Sequence, residues 1–184
     1  MKVGLVINDI ATEKADYSTT HLAIEAVKRG HEIAYIEVGA FQYGLDELVH
    51  ARTHPVSRQA SITPADLVRD LAAGAGGEKE IAVDEFDVVL LRSDPSRELF
   101  SRPWARLAGV NFGRLVTRHG VLVLNDPDGL DRAINKMYLQ HFPREVRPEA
   151  IITRDHQTLR AFAEREGPVV IKPLTGSGGR NVFL

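Results

Sequence analysis

Apolar residues fall along this chain in short runs separated by stretches of helical periodicity, the pattern of strands alternating with helices. Val3 to Ile7 is an apolar run that gives way to Asn8 and Asp9, and it predicts a buried strand of the parallel type. Ser18, Thr19 and Thr20 offer caps for a helix from His21 to Arg29, with Leu22, Ala26 and Val27 on its apolar face and Gly30 as its stop. Glu32 to Glu37 predicts a second strand, so the opening reads as a βαβ unit. From Gly39 to Arg58 the periodicity weakens, and Val49 to Val56 reads as an edge strand carrying His50, Arg52 and His54. Pro64 to Ala73 predicts a helix, followed by a flexible surface loop from Gly74 to Lys79.

The second half repeats the theme. Asp87 to Arg92 predicts a buried strand, and Trp104 to His119 a long helix with Leu107, Val110, Leu115 and Val116 on its apolar side. Trp104 is expected in the core or in a subunit contact. Gly120 stops that helix and Val121 to Leu124 returns as a strand. Composition then breaks at Asn125-Asp126-Pro127-Asp128-Gly129, dividing the chain into residues 1–124 and 125–184. Asp126 and Asp128 suit turn and cap positions better than a metal pair. Beyond them we expect a helix from Leu130 to Phe142, a strand from Ala150 to Thr153, and a helix capped by Asp155 with Leu159, Phe162 and Ala163 on one face. A last strand pair flanks a glycine-rich loop. The fold class is α/β: an open, mainly parallel sheet flanked by helices, followed by a second, incomplete domain.

Composition narrows the function classes. A net charge of -2 gives no argument for nucleic acid or for an anionic membrane as partner. With no cysteine, disulfides and thiolate metal sites are excluded, which fits a cytoplasmic setting. No apolar stretch approaches the roughly 18 residues of a membrane span. His50 and His54, four apart on a strand or loop, do not converge on a metal.

The chemistry concentrates in Val170-Ile171-Lys172-Pro173-Leu174-Thr175-Gly176-Ser177-Gly178-Gly179. Lys172 supplies positive charge, and the loop Gly176-Ser177-Gly178-Gly179 lets backbone N–H groups approach phosphate oxygens. The order is not that of a Walker loop, because the lysine precedes the glycines. On these residues alone a solvent-facing hairpin lysine remains open. Lys136, expected on a helix, is the second cation ahead of the loop. Arg92, at a strand's C-terminal end, suits a bidentate grip on a carboxylate, or else a structural ion pair with Asp94 or Asp87. Asp9 and Ser18 follow the first strand and are placed to line the same pocket, Ser18 equally well as a helix cap.

Two lysines ahead of one glycine loop, the first after an Asn-Asp-Pro turn, is the order found in ATP-grasp enzymes. The chain resembles the N-terminal part of bacterial-type glutathione synthetases. The resemblance rests on Val6-Ile7-Asn8-Asp9-Ile10, Val89-Leu90-Leu91-Arg92-Ser93-Asp94-Pro95, Val123-Leu124-Asn125-Asp126-Pro127, Asn135-Lys136 and Ile171 to Gly179. It implies an N-terminal substrate domain over residues 1–124 and a partial first lobe of an ATP-grasp domain over residues 125–184. It also implies ATP and Mg²⁺ as cofactors, the Mg²⁺ ligands lying after Leu184, and a homo-oligomer. The implied activity joins the C-terminal carboxylate of γ-glutamylcysteine to the amine of glycine through an acyl phosphate, with small peptide and amino-acid substrates as partners. Lys136, Lys172 and Gly176 to Gly179 match the ATP-contacting positions. Where such sequences often carry a second basic residue after the arginine, this chain has Ser93. The exposed apolar end Val182-Phe183-Leu184 fits a truncated piece of a longer ligase, inactive by itself. A ligase for another amino acid or peptide, or a non-catalytic dimerising or peptide-binding module, are the other classes.

Overall fold

A computed structural model describes residues 1–56 and 62–184; Arg58, at the end of the stretch where periodicity weakens, lies outside the described residues. The chain divides into two compact units, Met1–Asp131 and Arg132–Leu184.

The first unit is a six-stranded sheet. Its strands are β1 (Lys2–Ile7), β2 (Glu32–Tyr43), β3 (Val49–Pro55), β4 (Lys79–Ala82), β5 (Val88–Leu91) and β6 (Leu122–Leu124), in the order β4-β3-β2-β1-β5-β6. The four strands β2, β1, β5 and β6 run parallel, and β3 and β4 are antiparallel additions at one side. Side chains alternate between the two faces. Val3, Leu5 and Ile7 join Ile33 and Tyr35 beneath helices α1 (Ser18–Lys28) and α2 (Pro64–Ala72). Val6, Ile36, Val89 and Leu91 face the other way, toward α3 (Ala108–Thr117). Burial on both faces explains why β1 reads as an unbroken apolar run rather than an alternating one.

The βαβ opening forms as expected, with two refinements. Ser18, Thr19 and Thr20 lie inside the first turn of α1 rather than before it; the cap position is Tyr17, which makes no side-chain capping bond. Leu22 points outward at 47% exposure, because the buried face is set by Thr20, Ala23, Ile24 and Val27. At the other end His31 N–H donates to Ala26 C=O and Gly30 N–H to Val27 C=O, the paired bonds that end a helix on a residue of positive φ, here Gly30 at 80°.

Other expectations give way to non-local pairing. The strand Val49–Pro55 is not an edge, because β4 pairs with it and takes that place. Lys79 therefore belongs to a strand and not to a surface loop; its carbonyl accepts from the Thr53 hydroxyl at 2.9 Å. The charged start of β4, Lys79-Glu80, is a chemistry suited to an exposed sheet edge. The helix expected from Trp104 breaks into a 3₁₀ turn over Pro103–Ala105 and then α3, since Pro103 opens the turn and Leu107 lies outside helical geometry. Trp104 stays 67% exposed and rests on Gly39.

Helix α4 (Pro127–Ala133) starts where Asp126 accepts from Gly129 N–H at 2.6 Å. Its Asp128 and Asp131 receive the Arg114 guanidinium at 2.6 and 2.7 Å. A single helix from Leu130 to Phe142 does not form: α4 ends and a separate 3₁₀ turn, Lys136–His141, begins after Asn135. In the second unit, α5 (His156–Glu166) is capped by Asp155, which accepts from Thr158 N–H at 2.7 Å. Residues 150–153 carry no strand pairing, and the last strand pair is one antiparallel bridge, Ile171 to Phe183.

Candidate functional site

Strand order reverses between β1 and β5. From β1 the chain passes through α1 to β2 on one side, and from β5 through α3 to β6 on the other. The segments leaving the C-terminal ends of β1 and β5 therefore diverge and open a crevice, where ligands of open α/β sheets bind.

The floor of that crevice is a buried polar network. Asn8 follows β1, with Nδ2 donating to Glu98 Oε1 at 2.7 Å and to Asp94 C=O at 3.0 Å; its Oδ1 accepts from Asp94 N–H at 2.7 Å. Glu98 is only 3% exposed and receives both Nε and Nη2 of Arg102 at 2.9 and 2.8 Å. Arg102 Nη2 also donates to the Asn8 carbonyl at 3.0 Å. The hydrogen bond to Glu98 holds the Arg102 guanidinium above its ordinary range, against the opposing effect of burial. This bidentate pair fixes the backbone on which the exposed residues stand.

Arg92 emerges from β5 and turns toward the start of α1. Nη2 donates to Ser18 Oγ at 2.7 Å and Nε to Thr19 Oγ1 at 3.3 Å. The sequence-predicted pair Arg92 and Ser18 is thus brought together, and both acceptors are hydroxyls rather than the carboxylates of an ion pair. Asp9 sits at the same edge but is engaged elsewhere: Oδ1 accepts from Ala11 N–H at 2.9 Å, and Oδ2 stands 3.8 Å from Arg102 Nη1. Ser93 packs against Gly109 of α3.

Five residues here had no sequence signal as site residues. Tyr17 accepts from Arg97 Nη2 at 3.1 Å through its hydroxyl, and its ring lies under both Arg97 and Lys14. Glu13, half-buried below them, has its carboxyl pushed up by burial, with Arg97, Thr20 and Arg92 acting in the opposite sense. Among the described residues its Oε2 and the Tyr35 hydroxyl are buried without a hydrogen-bond partner. Burial, with Glu13 nearby, pushes the Tyr35 hydroxyl above its ordinary range.

The second unit holds the lysines and the glycine loop. The bridge between Ile171 and Phe183 consists of two backbone hydrogen bonds of 2.9 Å each and closes the loop into a hairpin. Within it Gly176, Gly178 and Gly179 take φ of 110°, 65° and 74°, values side-chain-bearing residues rarely adopt. Asn181 follows at 57°. Lys136 is tied to this loop at both ends, its N–H donating to Leu174 C=O at 2.8 Å and its Nζ to Gly176 C=O at 2.9 Å. Asn135 fixes the turn by accepting from Met137 N–H. Lys172 is exposed on the hairpin's incoming arm, and Ser177 on the loop is exposed with it. The Lys136 ammonium thus lies at a loop of left-handed backbone, a geometry suited to phosphate oxygens. For Mg²⁺ the fit fails: among the described residues no three histidine, aspartate or glutamate side chains converge, so no metal ligand is assigned. Among those residues, too, no helix is long and apolar enough to cross a membrane.

The class is that of an α/β protein whose open sheet, with polar residues at its switch point, is followed by a lysine-anchored glycine hairpin. Comparison with known proteins narrows this class. Residues 1–131 match the family described as prokaryotic glutathione synthetase, N-terminal domain, and residues 135–184 match prokaryotic glutathione synthetase, ATP-grasp domain. The chain belongs to the prokaryotic glutathione synthetase family. It is 30% identical over 184 residues to a glutathione synthetase of Salmonella typhimurium, covering 100% of this chain and 54% of that one. It is 35% identical over 166 residues to one of Bradyrhizobium diazoefficiens, covering 90% and 48%. A glutathione synthetase of Vibrio cholerae is 30% identical over 192 residues. The chain spans about half the length of the curated relatives it matches.

Proposed function

We propose that this chain supplies the peptide-binding domain and part of the nucleotide-binding lobe of an ATP-dependent carboxylate–amine ligase that makes glutathione from γ-glutamylcysteine and glycine. Residues 1–124 form the substrate domain on this reading, and residues 125–184 the first part of the ATP-grasp domain. The observation that carries it is Arg92: an exposed guanidinium, positioned at the switch-point crevice by two hydroxyls, keeps its charge for a substrate carboxylate. Ser18 and Asp9 complete the polar rim.

Lys136, Lys172 and the backbone of Gly176, Ser177, Gly178 and Gly179 would hold ATP through its phosphates. ATP supplies the phosphoryl group that activates the peptide carboxylate for attack by the glycine amine. The chain's own part is positioning and charge neutralisation: Arg92 orients the peptide, and the two ammonium groups offset phosphate charge. Lys136 has to exchange its bond to the Gly176 carbonyl for one to phosphate, so nucleotide binding remodels the loop. We place the enzyme in the cytoplasm as a homo-oligomer, with Mg²⁺ as the nucleotide's counter-ion. Turnover is expected of a protein of the relatives' full length, and not of these 184 residues alone.

The test is phosphate release by a full-length protein carrying this chain, given ATP, Mg²⁺, γ-glutamylcysteine and glycine. Release that needs both amino-acid substrates supports the reading. Release only with a different peptide or amine makes it another ligase of the same type. Peptide binding with no turnover makes it a binding module.

A further inference from the structure

We propose that Arg97 is a second anion-binding residue of the crevice, acting beside Arg92, so that the site selects a ligand bearing two negatively charged groups. The inference rests on the reading of the crevice as a peptide site.

Arg92 and Arg97 reach it from different backbone elements, the end of β5 and the 3₁₀ turn Pro95–Glu98, yet they settle on consecutive residues. Arg92 is held by Ser18, and Arg97 by the Tyr17 hydroxyl at 3.1 Å. The Arg97 guanidinium carbon lies 5.6 Å from the Tyr17 ring centroid, and Lys14 Nζ lies 5.8 Å from the same ring. Three cations are therefore gathered on one short stretch of surface.

Two carboxylates act on Arg97, those of Asp94 and Glu13. Glu13 acts on both arginines, and among the described residues its Oε2 is buried without a hydrogen-bond partner. Asp94, which also acts on Arg97, spends one oxygen on the Ser96 amide and hydroxyl at 2.9 and 2.7 Å.

Arg97 is also prepositioned. The turn that carries it is pinned at its start by the reciprocal bonds between Asn8 and the Asp94 backbone, and at its end by buried Glu98. A long side chain on a fixed base loses less freedom when it binds, which makes it a selective contact rather than a casual one. Its neighbour Tyr17 contributes a neutral hydroxyl that an incoming carboxylate can replace.

Calorimetric titration of this chain with γ-glutamyl-α-aminobutyrate, a thiol-free dipeptide with two carboxylates, and with its C-terminal amide, which has one, tests the proposal. The parent is expected to prefer the dicarboxylate. Arg97→Gln should weaken that peptide by about fivefold while leaving the amide within about twofold, and Arg97→Lys should restore most of the loss. Arg92→Gln should weaken both. If Arg92→Gln abolishes binding and Arg97→Gln changes nothing, the inference falls and the peptide site stands. An equal loss for both peptides that lysine does not restore makes Arg97 structural and also overturns it. If the parent binds neither peptide, the reading of the crevice fails and takes the inference with it.

Discussion

In the first unit Leu5, Ile7, Tyr35, Ile36 and Leu67 are almost wholly withdrawn from water, whereas in the second no described side chain is buried. The first is organised by apolar packing on two faces of a sheet, with a buried polar network at one edge. The second is organised by hydrogen bonds: a capped helix, a capped turn, one antiparallel bridge, and Lys136 tied twice to the glycine loop. The contrast separates two ways of presenting a cation. Arg92 and Arg97 stand on a packed base and keep their geometry, as the proposed recognition of carboxylates requires. Lys136 and Lys172 belong to a segment with little burial to hold it, as the proposed reshaping around phosphate requires.

The comparison breaks most sharply at Arg102. Arg102→Ala leaves the buried Glu98 carboxylate without its cation, with the Asn8 amide as its remaining donor, and should cost about 3–5 kcal/mol in urea unfolding of the first unit. Changing Glu98 and Arg102 together to apolar residues should recover most of it. A cost below about 1 kcal/mol for Arg102→Ala would mean the network does not organise the crevice.

Packing gives the next test. Leu67→Ala, on the buried face of α2, should cost about 2–5 kcal/mol. Leu159→Ala, on the half-covered face of α5, should cost about 1 kcal/mol or less. Equal costs would erase the distinction between the units.

A smaller effect is expected at Lys136. Lys136→Met removes the ammonium from the Gly176 carbonyl and should weaken the loop by about 1 kcal/mol. Faster amide exchange over residues 174–183, with the first unit's melting unchanged, is the result that checks it.

The smallest effect is a pH dependence at Glu13. Burial raises its carboxyl above the ordinary value, so the folded state binds that proton more tightly than the unfolded state does. The resulting stability is complete below the unfolded pKa of about 4.3 and is lost as pH rises through the higher folded value. Glu13→Gln stays neutral at every pH, so it should melt like the parent below about pH 4 and above the parent at neutral pH. A variant that melts lower at neutral pH would show that attraction to Arg97 and Arg92 outweighs burial.

The parts of the molecule legible in the sequence are those fixed locally. The apolar run of β1, the glycine that ends α1, the cap at Asp155 and the left-handed glycines each declare themselves within a few residues. Arg92 was legible for the same reason, as a cation directly following an apolar strand. Glu98 was not, because a glutamate three residues after a proline reads as solvated, and its burial depends on Asn8, 90 residues away. Strand β4 was hidden because its sequence, Lys79-Glu80-Ile81-Ala82, acquires meaning only when paired with β3. The helix expected through Lys136 failed for a local reason that periodicity does not register: the Asn135 side chain caps a new turn there.

The division of labour between the two units is tested most directly by amide chemical-shift mapping of the ¹⁵N-labelled chain, titrated separately with γ-glutamylcysteine and with ATP. The account predicts that the peptide moves amides around Asn8 to Thr19 and Arg92 to Glu98, and that ATP moves those around Lys136 and from Lys172 to Val182. Peptide shifts confined to the glycine loop, or ATP shifts confined to the crevice, would contradict it.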